Sequence, residues 1–381
     1  QEGTGIEQTQ DMTSIISDII VNTNTETGSK IIEEVNNSTT ETNLSLKVIS
    51  GISEKDNGKL DTLSENNKEQ MDELAETAVK NAGASKEDAD LIAQVVAVVS
   101  DEVVNTIMEE VSKSSTDEKQ TLSAKVLKAI VDSDSGKIDI INDDVKDTMI
   151  EQTIESAKNQ QEGTGIEQTQ DMTSIVSDII VKTDSETAAK IIDEVNETET
   201  NSNLSLKVIS GISEKDSEKL DTLSENNKEQ IEKLTETAVQ NAENTAEDSQ
   251  LIANVVAVVN DDLVNKVVEE VNKTAEETDK QTLSAKVLKA IVDTEPDKIE
   301  NISDENKETL ITNTVDAAKN QKEGTVAEDA TDYSNIIAEV IVKTESSTAA
   351  KVLEKIEETE TDSDLKLSVV ENITNQENGE R

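Results

Sequence analysis

The stretch IVSDIIVKTDSETAAKIIDEV, from Ile175 to Val195, carries the pattern that decides the fold. Its first half, counted from Met172, places apolar side chains at i, i+3, i+4, i+7 and i+8, and its second half repeats this spacing. Each half therefore predicts a helix with one apolar stripe. The stripe residues are Met172, Ile175, Val176, Ile179 and Ile180, followed by Ala188, Ile191, Ile192 and Val195.

The segment between the two stripes predicts a tight turn. Thr183 and Glu186 have the spacing of a capping box, in which the Thr hydroxyl accepts from a free N–H group and the Glu carboxylate reaches back to the Thr amide. A pair of helices cannot bury both stripes by itself. The helix pair must therefore stack on neighbours of the same kind, as in a repeat protein.

Internal repeats extend over the whole chain. Residues 1–160 and 161–321 are two copies of one sequence, and a third, truncated copy begins at Lys322. Within each long copy a weaker period of about 80 residues is visible, because the segment from Leu204 resembles the segment from Leu283. The predicted domains are five repeat modules: 1–80, 81–160, 161–241, 242–321 and the truncated 322–381.

The predicted fold class is all-α, an elongated α-solenoid or superhelix of short helices. Strands are the competing interpretation for Ile- and Val-rich segments, but the 3.6-residue spacing and the surrounding Ala, Glu and Lys favour helices. Leu251–Asn260 is expected to be a buried inner helix, and Ser224 is expected to cap the last helix of the third module. The helices predicted there are Asp171–Lys182, Asp184–Asn196, Asn203–Ser213, Ser217–Leu223 and Ser224–Asn241.

Composition limits the shape and the possible partners. The 381 residues include one Tyr, no Phe and no Trp, so aliphatic residues must fill the core, which favours thin layers of helices. The 84 acidic residues exceed the 35 basic ones, and the net charge of −49 would repel nucleic acid and anionic lipid. A disordered acidic polymer has a similar composition, but the helical periodicity argues against it.

Catalytic and membrane functions are not predicted. The chain has no His and no Cys, so the commonest general base, thiol chemistry and disulfides are absent, and we expect no enzyme. The longest nearly apolar run, Leu251–Val259, is shorter than the ~20 residues that a membrane span needs. Paired carboxylates recur along the chain, and we interpret them as a solvated helix face. The pairs are Glu33–Glu34, Glu109–Glu110, Glu269–Glu270 and Glu357–Glu358.

Calcium is the one ligand that the sequence suggests. Asp132 and Asp134 are alternate acidic residues ahead of Gly136, as in a loop that wraps a hard cation. The equivalent candidates in the next copy are Asp293, Glu295 and Asp297, which lack the Gly. Diffuse cation condensation on the many carboxylates is the alternative, and it needs no defined site. No other cofactor is predicted.

Two segments resemble known helical repeats. Val292–Ile302 and Val342–Ile356 combine an acidic turn with an Ala-, Ile- and Leu-rich helix. They resemble the superhelical units of the bacterial flagellar rotor switch protein and of the cytoplasmic domain of certain magnesium transporters, although the Asp-Pro-Glu order usual there is absent. The resemblance implies a superhelix of short helices. Overall, the chain looks like a repeat region of a very long acidic bacterial surface protein.

The functional prediction is therefore structural. We expect a segment that acts as an extended spacer or scaffold in a long secreted or cell-surface protein, whose main partners are the neighbouring repeats of the same chain. The alternative is a superhelical interaction module that binds a protein or calcium. A groove in which non-repeating residues cluster would favour that alternative.

Overall fold

The computed structural model describes residues 12–38, 44–98, 101–113, 116–164, 170–198, 203–242, 245–273, 278–324, 331–359 and 363–379. All regular structure in these residues is helical, which confirms the all-α prediction. The chain divides into two compact units, Gln1–Glu194 and Val195–Arg381, and the division falls within α11.

The first unit is built from short helices. They are α1 (Met12–Asn22), α2 (Thr25–Asn37), α3 (Leu44–Lys55), α4 (Asn57–Asn66), α5 (Lys68–Asn81), α6 (Lys86–Val98), α7 (Asp101–Ser112), α8 (Asp117–Asp134), α9 (Asp143–Glu162), α10 (Met172–Lys182) and α11 (Ser185–Glu197), with a 3₁₀ helix at Ser135–Ile140. One layer is formed by α1, α3, α6, α8 and α10, each packed on the next, and a second layer by α2, α5, α7 and α9.

The second unit repeats this plan. Its helices are α12 (Leu204–Lys215), α13 (Ser217–Asn226), α14 (Lys228–Gln240), α15 (Ala246–Val258), α16 (Asp261–Lys273), α17 (Thr278–Thr294), α18 (Lys298–Asn301), α19 (Asp304–Glu323), α20 (Tyr333–Lys343), α21 (Ser346–Glu358) and α22 (Ser363–Gly379). One layer runs α12, α15, α17, α20, α22, and the other α14, α16, α19, α21. Extensive helix contacts join helices no more than three places apart, so each unit is an α-solenoid.

The apolar stripes lie where the sequence predicts them. All nine stripe residues of α10 and α11 are at most 2% exposed. α15 packs against both α12 and α17, and Ile252, Ala253 and Val256 on it are at most 1% exposed, which confirms the predicted inner helix. At about 25 cal/mol per Å² of buried apolar surface, such stripes supply the main stabilising term in a core that is almost entirely aliphatic.

The predicted capping box is wrong in its residues. The Oδ1 atom of Asp184, not the Thr183 hydroxyl, accepts from the backbone N–H of Thr187, at 2.8 Å. The Thr183 hydroxyl instead donates to the carbonyl of Ile179, at 2.8 Å, and so helps to end α10. A hydroxyl can donate to a helix carbonyl, here one that also accepts the backbone N–H of Thr183, whereas a carboxylate can only accept, so the two neighbours take opposite ends of the turn.

Two further predictions are corrected. Ser224 lies inside α13 and its hydroxyl donates to the carbonyl of Leu220, at 2.8 Å, while the break between α13 and α14 is at Asn227. Glu110 and Glu270 are buried at 9% and 1% exposure, so these members of the recurring pairs are not on a solvated face. Glu270 is compensated by Lys266 and Lys273 of its own helix, at 3.1 and 2.7 Å.

Candidate functional site

A set of charged contacts recurs at the junctions between long repeats, where one copy meets the next within a unit. In the first unit α8 packs on α10, and in the second unit α17 packs on α20. Both junctions bring together charged residues spaced i and i+4 on each helix, so that they project from one face. We call each set the junction network.

The first junction network links four side chains across α8 and α10. The carboxylate of Asp132 accepts from Lys128 Nζ, at 2.7 Å, and also from Lys182. Lys128 Nζ lies 3.2 Å from an Oδ atom of Asp178. The result is a chain of alternating charge, Lys182–Asp132–Lys128–Asp178, in which two contacts cross from α8 to α10.

The second junction network is the same arrangement 161 residues later. Asp293 accepts from both Lys289 and Lys343, and Lys289 donates to Glu339 at 2.8 Å. Lys343 Nζ also lies 3.9 Å from Glu339, which closes the four charges into a ring. Glu339 takes the place of Asp178. The alternation of charge is kept, and the acidic side chain at this position is one methylene longer.

The proton affinities follow from this geometry. Burial disfavours the charged carboxylate of Asp132, but hydrogen bonds from Lys128 and Lys182 outweigh it, and the pKa of Asp132 is lowered. The pKa of Asp293 is lowered for the same reason. Burial also disfavours the ammonium of Lys128, yet its bonds to Asp132 and Asp178 raise the pKa of that lysine. The ion pairs therefore favour the charged forms of Asp132, Asp293 and Lys128.

A glutamine completes each junction. The side-chain oxygen of Gln160, near the end of α9, accepts from the backbone N–H of Met172 at 2.6 Å, while its amide donates to the carbonyl of Gln170 at 2.7 Å. Gln321 makes the same two bonds, accepting from Tyr333 at 3.0 Å and donating to Thr331 at 2.6 Å. One amide thus satisfies two backbone groups at the start of the next repeat.

The junctions inside a long repeat also carry polar contacts, including an exposed ion pair between Lys47 on α3 and Glu87 on α6, at 3.7 Å. Between α3 and α6 the Ser50 hydroxyl contacts Gln94 Oε1 at 3.2 Å, and between α12 and α15 the Asn254 amide donates to Glu214 at 3.3 Å. In the second layer, asparagine amides donate to carbonyls at the start of a later helix. These bonds are Asn36 to Gln70, Asn196 to Gln230 and Asn272 to Asn306, at 3.2, 3.1 and 3.0 Å.

The five acidic residues predicted as calcium ligands lie in the junction networks and in or beside the turns that follow α8 and α17. Asp132 and Asp293 belong to the two junction networks, where lysine ammonium groups already contact their carboxylates. Asp134 is the last residue of α8, and Glu295 and Asp297 are exposed in the turn between α17 and α18. Among the residues that the structure describes, no three acidic side chains gather in a way that could hold a metal ion. A defined calcium site stays a prediction, which titration calorimetry with calcium chloride can test.

The sequence did not identify Lys128, Asp178 and Lys182, or their counterparts Lys289, Glu339 and Lys343. The available signal was a pair of i, i+4 opposite charges on each helix, recurring at a constant offset of 161 residues. Such pairs are abundant in this chain, and only the packing of α8 on α10 shows that these two face each other.

A surface cleft of about 390 Å³ lies between the α13–α14 break and the α15–α16 turn in the second unit. Its walls carry both signs of charge, and Ile231 and Leu263 are buried beneath it. The lining residues are Ser224, Glu225, Lys228, Ile231, Glu232, Asn260, Asp261, Asp262, Leu263 and Lys266. The corresponding residues of the first copy lie 160 positions earlier in the sequence. Among them only Thr106, which corresponds to Lys266, differs in charge.

The fold defines the class of this chain as an α-helical repeat protein. Within the described part of the chain, none of the helices is both long and apolar enough to cross a membrane. No protein-family model matches the sequence, and no curated protein matches it.

Solved structures with similar folds include the RNA-binding domain of yeast Puf5p bound to MFA2 RNA, with 11% identity and a TM-score of 0.47, covering 95% of this chain and 96% of that one. PUF-8 in complex with PBE-RNA gives 12% identity, a TM-score of 0.39 and coverages of 93% and 90%. An engineered protein gives 11% identity, a TM-score of 0.35 and coverages of 96% and 99%.

Proposed function

We propose that this chain is a structural repeat segment, an extended spacer or scaffold within a long secreted or cell-surface protein. The observation that carries the proposal is the junction network, which recurs at the same register in both units. Its charged groups contact one another across helices that are neighbours in one layer, so their recurring role is to join repeats. A scaffold needs this property, since its length depends on every junction holding.

The alternative is an interaction module, and the cleft over Ile231 is the feature that bears on it. A dedicated binding site should be lined by residues that differ between copies, because one ligand selects one set of contacts. Six of its ten lining positions hold a different residue in the first copy, but five of these changes are conservative and only Lys266, which corresponds to Thr106, changes charge, so the cleft keeps most of its chemistry from one copy to the next. The spacer is the better supported of the two functions.

Neither catalysis nor nucleic-acid binding is part of the proposal. The absence of His and Cys leaves no common nucleophile–base pair. RNA binding is stated for the Puf5p domain, but the net charge of −49 on this chain opposes a polyanion, since phosphate contacts supply most of the affinity in such complexes.

The rigidity of the stack tests the proposed function. The chain has no Cys, so two introduced cysteines can carry spin labels without background labelling. Labels at the exposed Glu247 on α15 and Glu357 on α21 span several helices of the second unit. Pulsed electron–electron double resonance should give one narrow distribution of distances between these two labels at 0.15 M NaCl.

The matched control is a pair on one helix, Glu305 and Lys322 of α19, which sets the width expected for a rigid element. The spacer function is contradicted if the distance distribution of the Glu247–Glu357 pair is several times broader than that of the control, or if it has several maxima.

A further inference from the structure

A second polar contact joins successive long repeats, at the start of α11 in the first unit and of α21 in the second. In the second unit the carboxylate of Glu300, on α18, accepts from the Thr348 hydroxyl at 2.7 Å and from Lys307 Nζ at 3.0 Å. Thr348 lies in the first turn of α21, whose N-cap residue, Glu345, makes no side-chain capping bond. Glu300 therefore supplies the carboxylate at this helix N-terminus, where negative charge is stabilising.

The first unit brings two acidic side chains together at the same place. Asp139 corresponds to Glu300, 161 residues later, and its side chain is hydrogen-bonded to that of Asp184. Asp184 caps α11 by accepting from the backbone N–H of Thr187 at 2.8 Å. Thr187 corresponds to Thr348, so both units set this turn against the same helix start. We call Asp139 and Asp184 the carboxyl pair.

The charges around the carboxyl pair are of both signs. They are Lys146, Asp143 and Asp147 on α9, and Glu186 and Lys190 on α11. Lys146 is buried and favours the ionised form of both members of the pair, but its Nζ also lies 3.4 Å from Asp143. Lys190 is bonded to Asp147, at 3.2 Å, and Glu186 adds a further negative charge. On the α7 side the turn is contacted by the neutral Asn105, which donates to the carbonyl of Ile140 at 3.1 Å.

The two units differ in which form of the carboxyl group this geometry favours. Burial, the hydrogen bond with Asp184 and the charge of Asp184 raise the pKa of Asp139. The backbone N–H of Thr187 holds the pKa of Asp184 below its usual value, so Asp139 is the member of the pair that takes up a proton first. Burial disfavours the charged form of Glu300, but its hydroxyl and ammonium donors outweigh burial and lower the pKa of Glu300.

We propose that the carboxyl pair is a pH-sensitive latch between two long repeats, which closes when protonated Asp139 donates to Asp184 and weakens when both carboxylates are charged. The sign follows from linkage. The stabilisation from Asp139 is present at low pH and is lost as the pH rises through its raised pKa, whereas that from Glu300 is lost as the pH falls through its lowered pKa. Acid therefore tightens the first contact and loosens the second. This inference goes beyond the spacer function, because it assigns a pH response to one junction wherever the protein is located.

Hydrogen–deuterium exchange of the full chain tests the proposal, with mass spectrometry of peptides that cover α11 or α21. Rates at pH 7 and pH 5 are corrected for the intrinsic pH dependence of amide exchange. At pH 7 Asp139→Asn should slow the exchange of α11 several-fold, because the asparagine amide can donate to Asp184 as the protonated carboxyl does. At pH 5 this difference from the wild type should shrink. Glu300→Gln should instead speed the exchange of α21 at pH 7, because it removes the charge that compensates the buried Lys307.

Two controls separate the latch from the general effect of net charge. Glu151→Gln removes an exposed carboxylate elsewhere on α9 and should leave the exchange of α11 unchanged. In an Asp184→Asn background, where asparagine can still cap α11, Asp139→Asn should have little further effect, because no second carboxylate faces it. The proposal is overturned if Asp139→Asn slows α11 no more than Glu151→Gln does. It is also overturned if the slowing is equally large at pH 5 or persists in the Asp184→Asn background.

Discussion

At the scale of single residues, the two aspartates of the junction networks matter most. Asp132→Asn removes the charge that bridges Lys128 and Lys182, and we expect it to lower the free energy of unfolding by about 1 kcal/mol or less at low salt, because the network is partly exposed. Chemical denaturation at 0.02 M and 1 M NaCl measures this loss, which should shrink at high salt. The matched control Glu357→Gln removes a carboxylate with no ion pair and should be neutral or slightly stabilising, since it reduces the net negative charge.

The lowered pKa values of Asp132 and Asp293 predict the pH dependence of this contribution. A carboxyl group with a lower pKa in the folded state stabilises the protein above its unfolded pKa of about 3.9, and this stabilisation is lost as the pH falls through the folded pKa. The difference between the wild type and the double variant Asp132→Asn/Asp293→Asn should be full at pH 7 and should disappear once the pH has fallen below the lowered pKa of the folded state. A difference that persists in strong acid would mean that the charges are not its source.

Tyr333 tests the packing of the aliphatic core. It is fully buried and takes the position that Met172 occupies in the preceding copy. Tyr333→Ala should cost about 3–5 kcal/mol through the cavity that it leaves. Tyr333→Met, which restores the residue of the other copy, should cost less than about 1.5 kcal/mol. Equal losses for both variants, measured by urea denaturation, would show that the position is not a shared core site.

At the scale of helices, the ends are set by residues that the apolar spacing does not reveal. Gly163 and Gly324 end α9 and α19 with positive φ values of 68° and 71°. Gly163→Ala should destabilise the chain by about 1 kcal/mol, because a Cβ is disfavoured in the left-handed region. The matched control is Gly58→Ala in the first turn of α4, where nothing closer than 3.4 Å meets the new Cβ. That change should stabilise slightly, so thermal melts should move in opposite directions.

The helices themselves could be predicted from sequence, and their ends only in part. Burial of an apolar stripe depends on spacing alone, and Ile175, Ile179 and Ile191 lie in the core as predicted. The sequence predicts Thr183 as the cap of α11, whereas the structure has Asp184. Adjacent polar residues in one turn compete for the same backbone groups, and the local φ and ψ values decide which side chain binds them. Asp132 and Asp293 were recognised as a site because of their carboxylates. Their lysine partners on α10 and α20 lie 50 residues away, so the sequence alone does not pair these charges.

At the scale of the whole molecule, net charge dominates the electrostatics. With 84 acidic and 35 basic residues, 84 − 35 leaves 49 negative charges without a basic counterpart, whatever the junction networks contribute. Added salt screens both the attraction in the networks and the repulsion elsewhere, and the repulsion involves more charges. We expect the melting temperature, followed by circular dichroism, to rise between 0.01 and 1 M NaCl. A melting temperature that falls would show that the ion pairs outweigh the unpaired carboxylates.

An extended spacer requires that the stacked repeats make the chain elongated, and the radius of gyration in solution tests this directly. A compact domain of 381 residues should have a radius of gyration of about 21 Å, and the unfolded chain roughly 70 Å. Small-angle X-ray scattering at 0.15 M NaCl should give a value clearly above about 21 Å and well below about 70 Å, together with a helical circular dichroism spectrum. A value near about 21 Å, the size of a compact domain, would contradict the spacer, and one near about 70 Å would contradict the folded repeat stack.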